Sequence, residues 1–362
     1  MSRPSRRSRG SVTIEDVARI AGVSAMTVSR VINGEKNVRD TTRAAVQEAI
    51  DQLSYSPNTA ARSLAAGQAT HIGLLYANPS AAYLSQFLVG ALEGARRAGC
   101  HLVIEACESE GADEQAEATR RFLTTNVEGV ILPPPLSESQ PILSELEIAQ
   151  IPVVTVAMGR PRDNALNVRI DDFAAAEEMT NHLLELGHRR VGLIKGHPTH
   201  IASIERARGF RSALERHGID PEDAPIEQGY FTFRSGLVAT ERLLARPEPP
   251  TAIFACNDDM AAAAVSVAHR KGLNVPQDIS IVGFDDTALA TSVWPELTTV
   301  KQPIAAMAEA ALELLIADLR SHQGGAPRKF TERVLSHAMI IRESSGPPAA
   351  GKGKKGKLVR SA

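Results

Sequence analysis

The sequence predicts an all-α helix-turn-helix head followed by an α/β body of two doubly wound parallel-sheet lobes. Three short amphipathic helical patterns precede residue 54, and from His71 short apolar strands alternate with helices in two successive series. A length of 362 residues is too great for one compact domain. With 43% hydrophobic and 23% charged residues, the composition excludes a mostly disordered or collagen-like chain.

The charges are segregated along the chain, although the formal net charge is only −2. Residues 1–70 carry ten Lys or Arg against six Asp or Glu, whereas residues 71–350 carry 25 against 36. A basic head on an acidic body indicates that the head binds a polyanion. Residues 1–10 are predicted to be a flexible basic arm, and residues 344–362 a disordered basic tail.

The cysteines and the termini indicate a cytoplasmic protein. Cys100, Cys107 and Cys256 have neither CxxC nor metal-ligand spacing, so we expect reduced thiols. No apolar segment follows the basic N-terminus, and the longest apolar runs are much shorter than a membrane span.

The head begins with two short helices joined by a tight turn. Thr13 and Asp16 have capping-box spacing, which predicts the start of the first helix. The turn at Gly22 leads to a second helix that Ser24 caps, and Asp40 can cap a third. This arrangement predicts a helix-turn-helix, which places its second helix in the major groove of DNA. An ordinary three-helix packing unit fits the same pattern.

The second helix has one face for the core and one for a partner. Its Val28 and Val31 must face the first helix, which leaves Ala25, Met26, Ser29 and Arg30 on the outer side as candidate base-reading residues. An arginine can donate two parallel hydrogen bonds to O6 and N7 of guanine, and small apolar side chains can contact thymine methyl groups. The candidate contacts to the DNA backbone are Thr13, Ser24, Thr27 and Asn33.

The body follows a strand–helix alternation. The predicted strands are residues 72–76, 102–106, 129–132 and 153–157 in the first series and residues 191–195, 252–255 and 279–284 in the second. The predicted helices include residues 87–98, 116–124, 174–186, 204–217, 236–245 and 258–271. Because ligands of doubly wound sheets bind at the carboxyl ends of the strands, we expect a ligand cleft between the two lobes.

Motifs for catalysis are absent from the sequence. We find no GxSxG elbow, no phosphate-binding loop, no HExxH and no metal-spaced Cys/His set, so we expect no enzyme activity, no cofactor and no metal. His182, His188 and His197 are predicted to be solvated. The acidic pairs at residues 171–172, 258–259 and 285–286 stand at element boundaries, where helix capping is the simplest interpretation.

Three segments of the first 64 residues carry a family resemblance. Residues 12–24 (VTIEDVARIAGVS), 27–33 (TVSRVIN) and 55–64 (YSPNTAARSL) resemble the DNA-binding head of the LacI/GalR family of bacterial transcriptional regulators. The resemblance continues to about residue 342. It implies a periplasmic-binding-protein-like body and a homodimeric regulator, usually a repressor, that binds a pseudo-palindromic operator under the control of a small effector. Such a protein is cytoplasmic and associates with the nucleoid when it is bound to DNA.

In the head, the resemblance places the base-reading positions on Ala25, Met26 and Arg30. It also implies that residues 57–69 form a hinge helix on DNA. The residues of that hinge that would face the minor groove are Asn58, Ala61 and Leu64, with Leu64 as the wedge between base pairs. The ten residues from Pro57 to Ala66 are too few for a stable free helix, so a flexible linker is the alternative interpretation.

In the body, the resemblance places effector-binding positions on residues at strand ends and on one helix, namely Tyr83, Arg206, Phe231, Asn257 and Asp285. An Arg fork, a carboxylate and an amide can together satisfy several sugar hydroxyls. The run Pro133, Pro134 and Pro135, together with Ala157, makes the first-lobe half of the pocket less polar. We therefore expect a sugar or sugar derivative, with a nucleobase or another small metabolite as the alternative.

Two other functional classes share this type of body: a stand-alone sugar-binding protein and an enzyme. The DNA-binding head argues against both.

The predicted domains are a head (11–56), the hinge (57–69), a first lobe (70–168 and 300–328) and a second lobe (169–299 and 329–343). No heptad helix follows Arg342, which favours a dimer over a tetramer.

Overall fold

The chain folds into two compact units, Met1–Ala69 and Thr70–Ala362, in a computed structural model. The structure describes residues 13–32, 38–53, 70–107, 111–159, 165–322 and 331–349. A helical head and an α/β body with two sheets confirm the predicted fold class.

The described residues of the head form three helices: α1 (Ile14–Ala21), α2 (Ala25–Ile32) and α3 (Asp40–Leu53). The predicted capping box is present, because Thr13 Oγ1 accepts from the Asp16 amide at 3.3 Å and Asp16 Oδ2 accepts from the Thr13 amide at 3.0 Å. Gly22 ends α1 with a left-handed φ of 66°. Asp40 is the first residue of α3 rather than its cap, a difference of one position.

A small apolar core holds the three head helices together. Its buried members are Val17, Ala18, Val28, Val31, Val46 and Ala49. These positions recur at helical spacing in all three helices, as the periodicity of the sequence predicts.

The described residues of the body form twelve strands and nine α-helices. The strands are β1 (His71–Tyr76), β2 (His101–Ala106), β3 (Gly129–Leu132), β4 (Val153–Val156), β5 (Leu166–Arg169), β6 (Val191–Lys195), β7 (Ile226–Gln228), β8 (Ala252–Ala255), β9 (Ser280–Asp285), β10 (Thr298–Lys301), β11 (Thr331–Val334) and β12 (Ala338–Ile340). The helices are α4 (Ala81–Ala98), α5 (Ala112–Leu123), α6 (Gln140–Ile148), α7 (Asp172–Glu185), α8 (Ile201–Arg216), α9 (Phe233–Leu244), α10 (Asp258–Arg270), α11 (Ala288–Ser292) and α12 (Ile304–His322).

The strands form two six-stranded sheets. The first lobe has the order β2-β1-β3-β4-β5-β11 and is parallel throughout, and the second has the order β7-β6-β8-β9-β10-β12, in which only β12 is antiparallel. The chain passes between the lobes after β5, after β10 and after β11. All seven predicted strands are present to within one residue at each end.

The predicted division of the lobes needs two corrections. The sequence predicts that residues 329–343 belong to the second lobe, but Thr331–Val334 pairs in register with β5 of the first sheet. The predicted boundary between residues 299 and 300 cuts β10, which belongs entirely to the second sheet. Short strands such as β11, with the sequence TERV, carry too little hydrophobic alternation to reveal their sheet.

The last described segment is packed, which corrects the prediction that residues 344–362 are a disordered tail. Ser344 is fully buried, and its hydroxyl accepts from the Thr298 amide at 2.8 Å. His188 lies within 2.9 Å of the Gly346 carbonyl and is also buried, contrary to the predicted solvated state. The hydroxyls of Thr251 and Ser280 bond its ring, so its polar nitrogens have partners within the lobe. Residues 350–362 lie outside the described residues.

The first lobe depends on a close crossing between α4 and α12. A Cβ on Gly90 would lie 2.1 Å from the carbonyl oxygen of Ala305, so α4 can approach α12 only with glycine at this position. Within the described residues, no helix is both long and apolar enough to cross a membrane.

Candidate effector cleft and DNA-facing helix

A cleft of about 570 Å³, counting the part open to solvent, lies between the two lobes of the body. Parallel strands end on both sides of it. Asn78, Pro134 and Ala157 follow β1, β3 and β4 of the first lobe, while Asn257 follows β8 and Asp285 ends β9 of the second. The cleft therefore occupies the place that the doubly wound topology favours for a ligand.

The structure brings together all five residues predicted to bind the effector. The lining of this one cleft includes Tyr83, Arg206, Phe231, Asn257 and Asp285. Their roles toward a ligand stay predictions. Each of these side chains is at most half exposed, so their arrangement is fixed by packing as well as by hydrogen bonds.

Arg206 is the central charge of the cleft and is held on several sides. Its Nε donates to Asp172 Oδ1 at 2.8 Å, and its Nη1 donates to the Cys256 carbonyl at 2.5 Å. Asp285 Oδ1 lies 3.9 Å from the same Nη1, and the guanidinium lies 3.6 Å from the ring centroid of Phe284. These contacts fix the orientation in which the Arg206 guanidinium faces the cleft.

Asp285 projects into the cleft from a strained backbone. Its φ is 114°, a region that non-glycine residues rarely adopt. Its Oδ1 accepts from Gln302 Nε2 at 2.6 Å. Burial raises the pKa of Asp285 well above its ordinary value, and the positive charge of Arg206 opposes that shift.

Asn257 serves the local fold as well as the cleft. Its side-chain oxygen accepts from the Met260 amide at 3.0 Å and so caps α10, while its Nδ2 donates to the Phe231 carbonyl at 3.0 Å. This bond helps to hold Phe231, whose φ of 59° is also left-handed. Asn257 therefore positions the ring of Phe231 at the cleft.

Two aromatic side chains give the cleft a stacking surface, and a third gives it a buried hydroxyl. The rings of His200 and Phe231 stack with centroids 5.8 Å apart. Burial lowers the pKa of His200 to about 4, so this ring is neutral at pH 7. The Tyr83 hydroxyl is buried and has no hydrogen-bond partner among the described residues, which leaves it available to a ligand.

The first-lobe wall is less polar than the second-lobe wall, as the sequence predicts. Pro134, Pro135 and Ala157 line it, and Asn78, Ser80 and Glu138 add polar groups. Ser80 Oγ reaches across the cleft to Asp259 Oδ2 at 2.6 Å. Both carboxylate oxygens of Glu138 lie 3.1 Å from the Ile201 amide of the second lobe.

Sequence reasoning missed several residues of this site. Glu138, His200 and Gln302 line the cleft without belonging to any motif. The sequence suggests a capping role for both Asp171 and Asp172. In the structure, Asp171 caps α7 by accepting from the Ala174 amide at 3.0 Å, whereas Asp172 binds Arg206. Two adjacent carboxylates at a helix start carry no signal that separates these roles. Among the described residues, no group of His, Cys, Asp and Glu could hold a metal ion.

The second helix of the head presents a mixed outer face. Met26 is 67% exposed, Arg30 is exposed and Ser29 is half-buried. Ala25, predicted to face outward, is partly packed against the head core. It lies three residues before the buried Val28 and therefore on the same face of α2.

The predicted backbone-contact residues of the head are Thr13, Ser24 and Thr27. Thr13 caps α1, and Ser24 Oγ accepts from the Thr27 amide at 3.2 Å. The other predicted DNA-contact positions, Asn33, Asn58, Ala61 and Leu64, lie outside the described residues, as do the arm and the hinge.

Comparison with known protein families gives two matches. Residues 13–58 match the model described as bacterial regulatory proteins, lacI family, and residues 180–345 match the periplasmic binding protein-like domain. The chain is 34% identical over 305 residues to catabolite control protein A of Priestia megaterium, covering 84% of this chain and 91% of the relative. It is 33% identical over 339 residues to the transcriptional regulator CelR of Thermobifida fusca, covering 92% and 98%.

Relatives named PurR match to a similar extent. The transcriptional repressor PurR of Haemophilus influenzae is 33% identical over 337 residues, covering 92% of this chain and 98% of the relative. Among solved structures, the CelR–cellobiose complex aligns with a TM-score of 0.70 at 30% identity, covering 92% of this chain and all of that chain. The lac repressor dimer bound to operator and the anti-inducer ONPF aligns with a TM-score of 0.68 at 29% identity, covering 93% and 100%.

Proposed function

Because this chain belongs to the lacI family and is a transcriptional regulator with an effector-binding domain, we propose that it is a repressor whose operator affinity is controlled by an uncharged sugar bound between the lobes. It acts as a homodimer on a pseudo-palindromic operator in the cytoplasm. The effector favours one arrangement of the lobes through its own differential affinity, and that arrangement determines whether the heads hold DNA.

The observation that carries this proposal is the arrangement of polar groups around Arg206. A guanidinium, the Asp285 carboxylate and the Tyr83 hydroxyl face one cleft beside the Phe231 ring. Alternating donors and acceptors suit adjacent hydroxyls, and the ring suits the apolar face of a sugar. Arg206 is the cationic side chain among the described lining residues, and its Nε already donates to Asp172 at 2.8 Å, which disfavours an anionic ligand.

A nucleobase is the second candidate effector, and one observation favours it. Pro134, Pro135 and Ala157 form an apolar first-lobe wall opposite the aromatic rings of the second lobe, which suits a flat heterocycle. PurR is among the matched relatives. The two candidates differ in the number of hydroxyl groups that Arg206 and Asp285 would bind.

At the DNA end, Met26, Ser29 and Arg30 read bases from α2, with a smaller part for Ala25. Thr13, Ser24, Thr27 and Asn33 contact the backbone. The hinge residues Asn58 and Ala61 face the minor groove, where Leu64 acts as the wedge. If so, Leu64→Ala weakens binding to the specific operator more than binding to random duplex, and equal losses would contradict the wedge.

The dimer buries an apolar patch that the body leaves uncovered. Val89 is 62% exposed and Leu92 is 54% exposed, and they lie three residues apart on one face of α4. A second copy of the chain would remove both from water. A pseudo-palindromic operator has two half-sites and needs two heads, so it also requires a second copy of the chain.

The test of this function combines a DNA titration with a ligand screen. Fluorescence anisotropy against promoter fragments should show saturable, salt-sensitive binding that prefers one sequence over random duplex. Absence of any sequence preference would refute the proposal that the head binds a specific operator. A thermal-shift screen of neutral sugars, sugar acids and nucleobases should then identify a compound that raises Tm and changes the anisotropy.

Two arginine variants locate the ligand. Arg206→Ala should abolish the thermal shift, whereas Arg208→Ala, an exposed arginine on the same helix, should retain it. A compound that stabilises wild type and Arg206→Ala equally would place the pocket elsewhere. A nucleobase that gives the shift while sugars do not would select the second candidate.

A further inference from the structure

The start of α8 lacks a cap from its own lobe. His200 precedes the helix with an extended backbone, but its side chain makes no capping hydrogen bond. A helix start leaves its first amides without intrahelical partners and carries a partial positive charge. α8 is the helix that carries Arg206, so the order of its first turn matters to the cleft.

The missing acceptor comes from the opposite lobe. Glu138 ends the short 3-10 helix Leu136–Glu138 after β3, and both of its carboxylate oxygens lie 3.1 Å from the Ile201 amide. The two residues are 63 positions apart and belong to different lobes. A carboxylate is the group that best satisfies such an amide, because it supplies both the acceptor and the opposite charge.

A second contact brings the first lobe to the same residue. A Cβ on Gly159 would lie 2.0 Å from Cγ2 of Ile201, so the backbone of the first lobe approaches Ile201 as closely as a glycine allows. Two separate segments of the first lobe, one after β3 and one after β4, therefore meet the first residue of α8.

The other cross-cleft hydrogen bonds reach different elements. Ser80 bonds Asp259 in α10, and Gln86 Nε2 donates to the Asp286 carbonyl after β9 at 3.2 Å. The Glu138 contact differs because it ends on the helix of Arg206. Burial of the Glu138 carboxyl raises its pKa to about 7, which shows how far the closed cleft removes it from water.

From this geometry we propose that Glu138 is a positioning residue that closes the cleft: it caps α8 across the lobes and so fixes the helix of Arg206 only when the lobes are together. This inference rests on the proposed effector cleft. When the lobes separate, the Ile201 amide loses its partner and the first turn of α8 loses its anchor. Closing the cleft and ordering the first turn of the Arg206 helix are then one event.

Hydrogen–deuterium exchange on the full-length, ligand-free protein tests the inference without any knowledge of the effector. In Glu138→Ala, we expect roughly tenfold faster exchange in the first turn of α8, because the Ile201 amide loses its hydrogen-bond acceptor. We expect faster exchange also in residues 78–83 of the opposite wall, because the lobes separate. Glu147→Ala, an exposed carboxylate on α6 of the same lobe, is the matched control and should exchange like wild type.

Two further variants separate closing from simple capping. Glu138→Gln keeps a neutral acceptor and should exchange within about threefold of wild type, whereas exchange as fast as in Glu138→Ala would contradict the hydrogen-bonding role. Gly159→Ala leaves Glu138 intact but obstructs the approach to Ile201, so it should also expose residues 78–83.

A change in Glu138→Ala that is confined to the first turn of α8 would overturn the inference, since it would show a local cap without closure. Operator binding of the wild type is measured separately. A protein that binds no specific DNA would refute the proposed function and leave the exchange result to decide the role of Glu138.

Discussion

Oδ1 of Asp172 accepts a hydrogen bond from Nε of Arg206 at 2.8 Å, and both side chains are buried. The pair joins the first turn of α7 to the middle of α8. It explains why two adjacent aspartates at one helix start have different roles, since Asp171 caps the helix and Asp172 neutralises the buried guanidinium. Burial raises the pKa of Asp172, and the charge of Arg206 opposes that shift.

The first prediction concerns this pair. Asp172→Asn should lower the free energy of unfolding by about 3 kcal/mol, because it leaves a buried positive charge without its nearest partner. Asp171→Ala, which removes only a cap, should cost about 1 kcal/mol. Urea denaturation followed by circular dichroism measures both. Equal losses for the two variants would mean that the buried pair adds nothing beyond a cap.

Tyr83 should show opposite effects on stability and on binding. Tyr83→Phe removes a buried hydroxyl that has no partner among the described residues, so the ligand-free protein should be unchanged or stabilised by up to about 1 kcal/mol. The same variant should weaken binding of the compound found in the thermal-shift screen about tenfold. Calorimetric titration measures the affinity, with the exposed Tyr230→Phe as the control. Full affinity in Tyr83→Phe would remove this hydroxyl from the site.

Two glycines of α4 provide a matched pair. Gly90→Ala should destabilise the first lobe by about 3 kcal/mol, because its Cβ would meet a backbone carbonyl of α12 at 2.1 Å. Gly94→Ala meets its nearest neighbour at 3.4 Å and should be neutral or stabilise by up to about 1 kcal/mol, through lower chain entropy. Thermal unfolding of both variants decides. A Gly90→Ala protein as stable as wild type would show that α4 and α12 can move apart freely.

The exposed patch on α4 should control assembly. Leu92→Asp places a charge in the proposed dimer interface and should convert the dimer to a monomer at micromolar concentration. Ile148→Asp, at a position that is 77% exposed on α6, should leave the dimer intact. Sedimentation velocity distinguishes the two species. A Leu92→Asp protein that sediments as a dimer would locate the interface elsewhere.

His188 should contribute to acid sensitivity. Burial lowers its pKa below the ordinary value of 6.5, so the folded protein resists the proton that the unfolded chain accepts. Its contribution to stability is therefore present above the unfolded-state pKa of 6.5 and is lost progressively as the pH falls below that value. The pKa values of His182 and His200 are shifted in the same direction. Part of the loss of stability at acidic pH should therefore remain when His188 is replaced.

A single substitution measures that contribution. Between pH 7.5 and 5.5, Tm should fall less in His188→Gln than in wild type. The exposed His217→Gln should behave like wild type. An identical fall in all three proteins would exclude His188 from the acid response.

Much of the fold could be predicted because its signals are local. The capping box at Thr13, the turn at Gly22 and the apolar runs of the buried strands each lie within a few residues of sequence. The sequence does not reveal strands such as β7 and β11, because they are three or four residues long, β7 is half-buried and β11 is mostly exposed, so they lack the apolar runs of the central strands.

The candidate site divides in the same way. Arg206, Asn257 and Asp285 stand in recognisable motifs or at strand ends, and the resemblance to the family identified them. Glu138 has no such context, because its significance arises only from the approach of Ile201, 63 residues away.

The amino-acid order alone determined the helical head and the two strand series, because helix periodicity, capping and strand hydrophobicity act between near neighbours, and its resemblance to the family supplied the candidate residues of the cleft. Only the tertiary structure decided that Asp172 rather than Asp171 holds Arg206, that His188 anchors the segment at Gly346, and that Glu138 meets α8. These contacts join residues that are distant in the chain. Their energies depend on how the sheets, helices and lobes pack, which no local pattern of residues encodes.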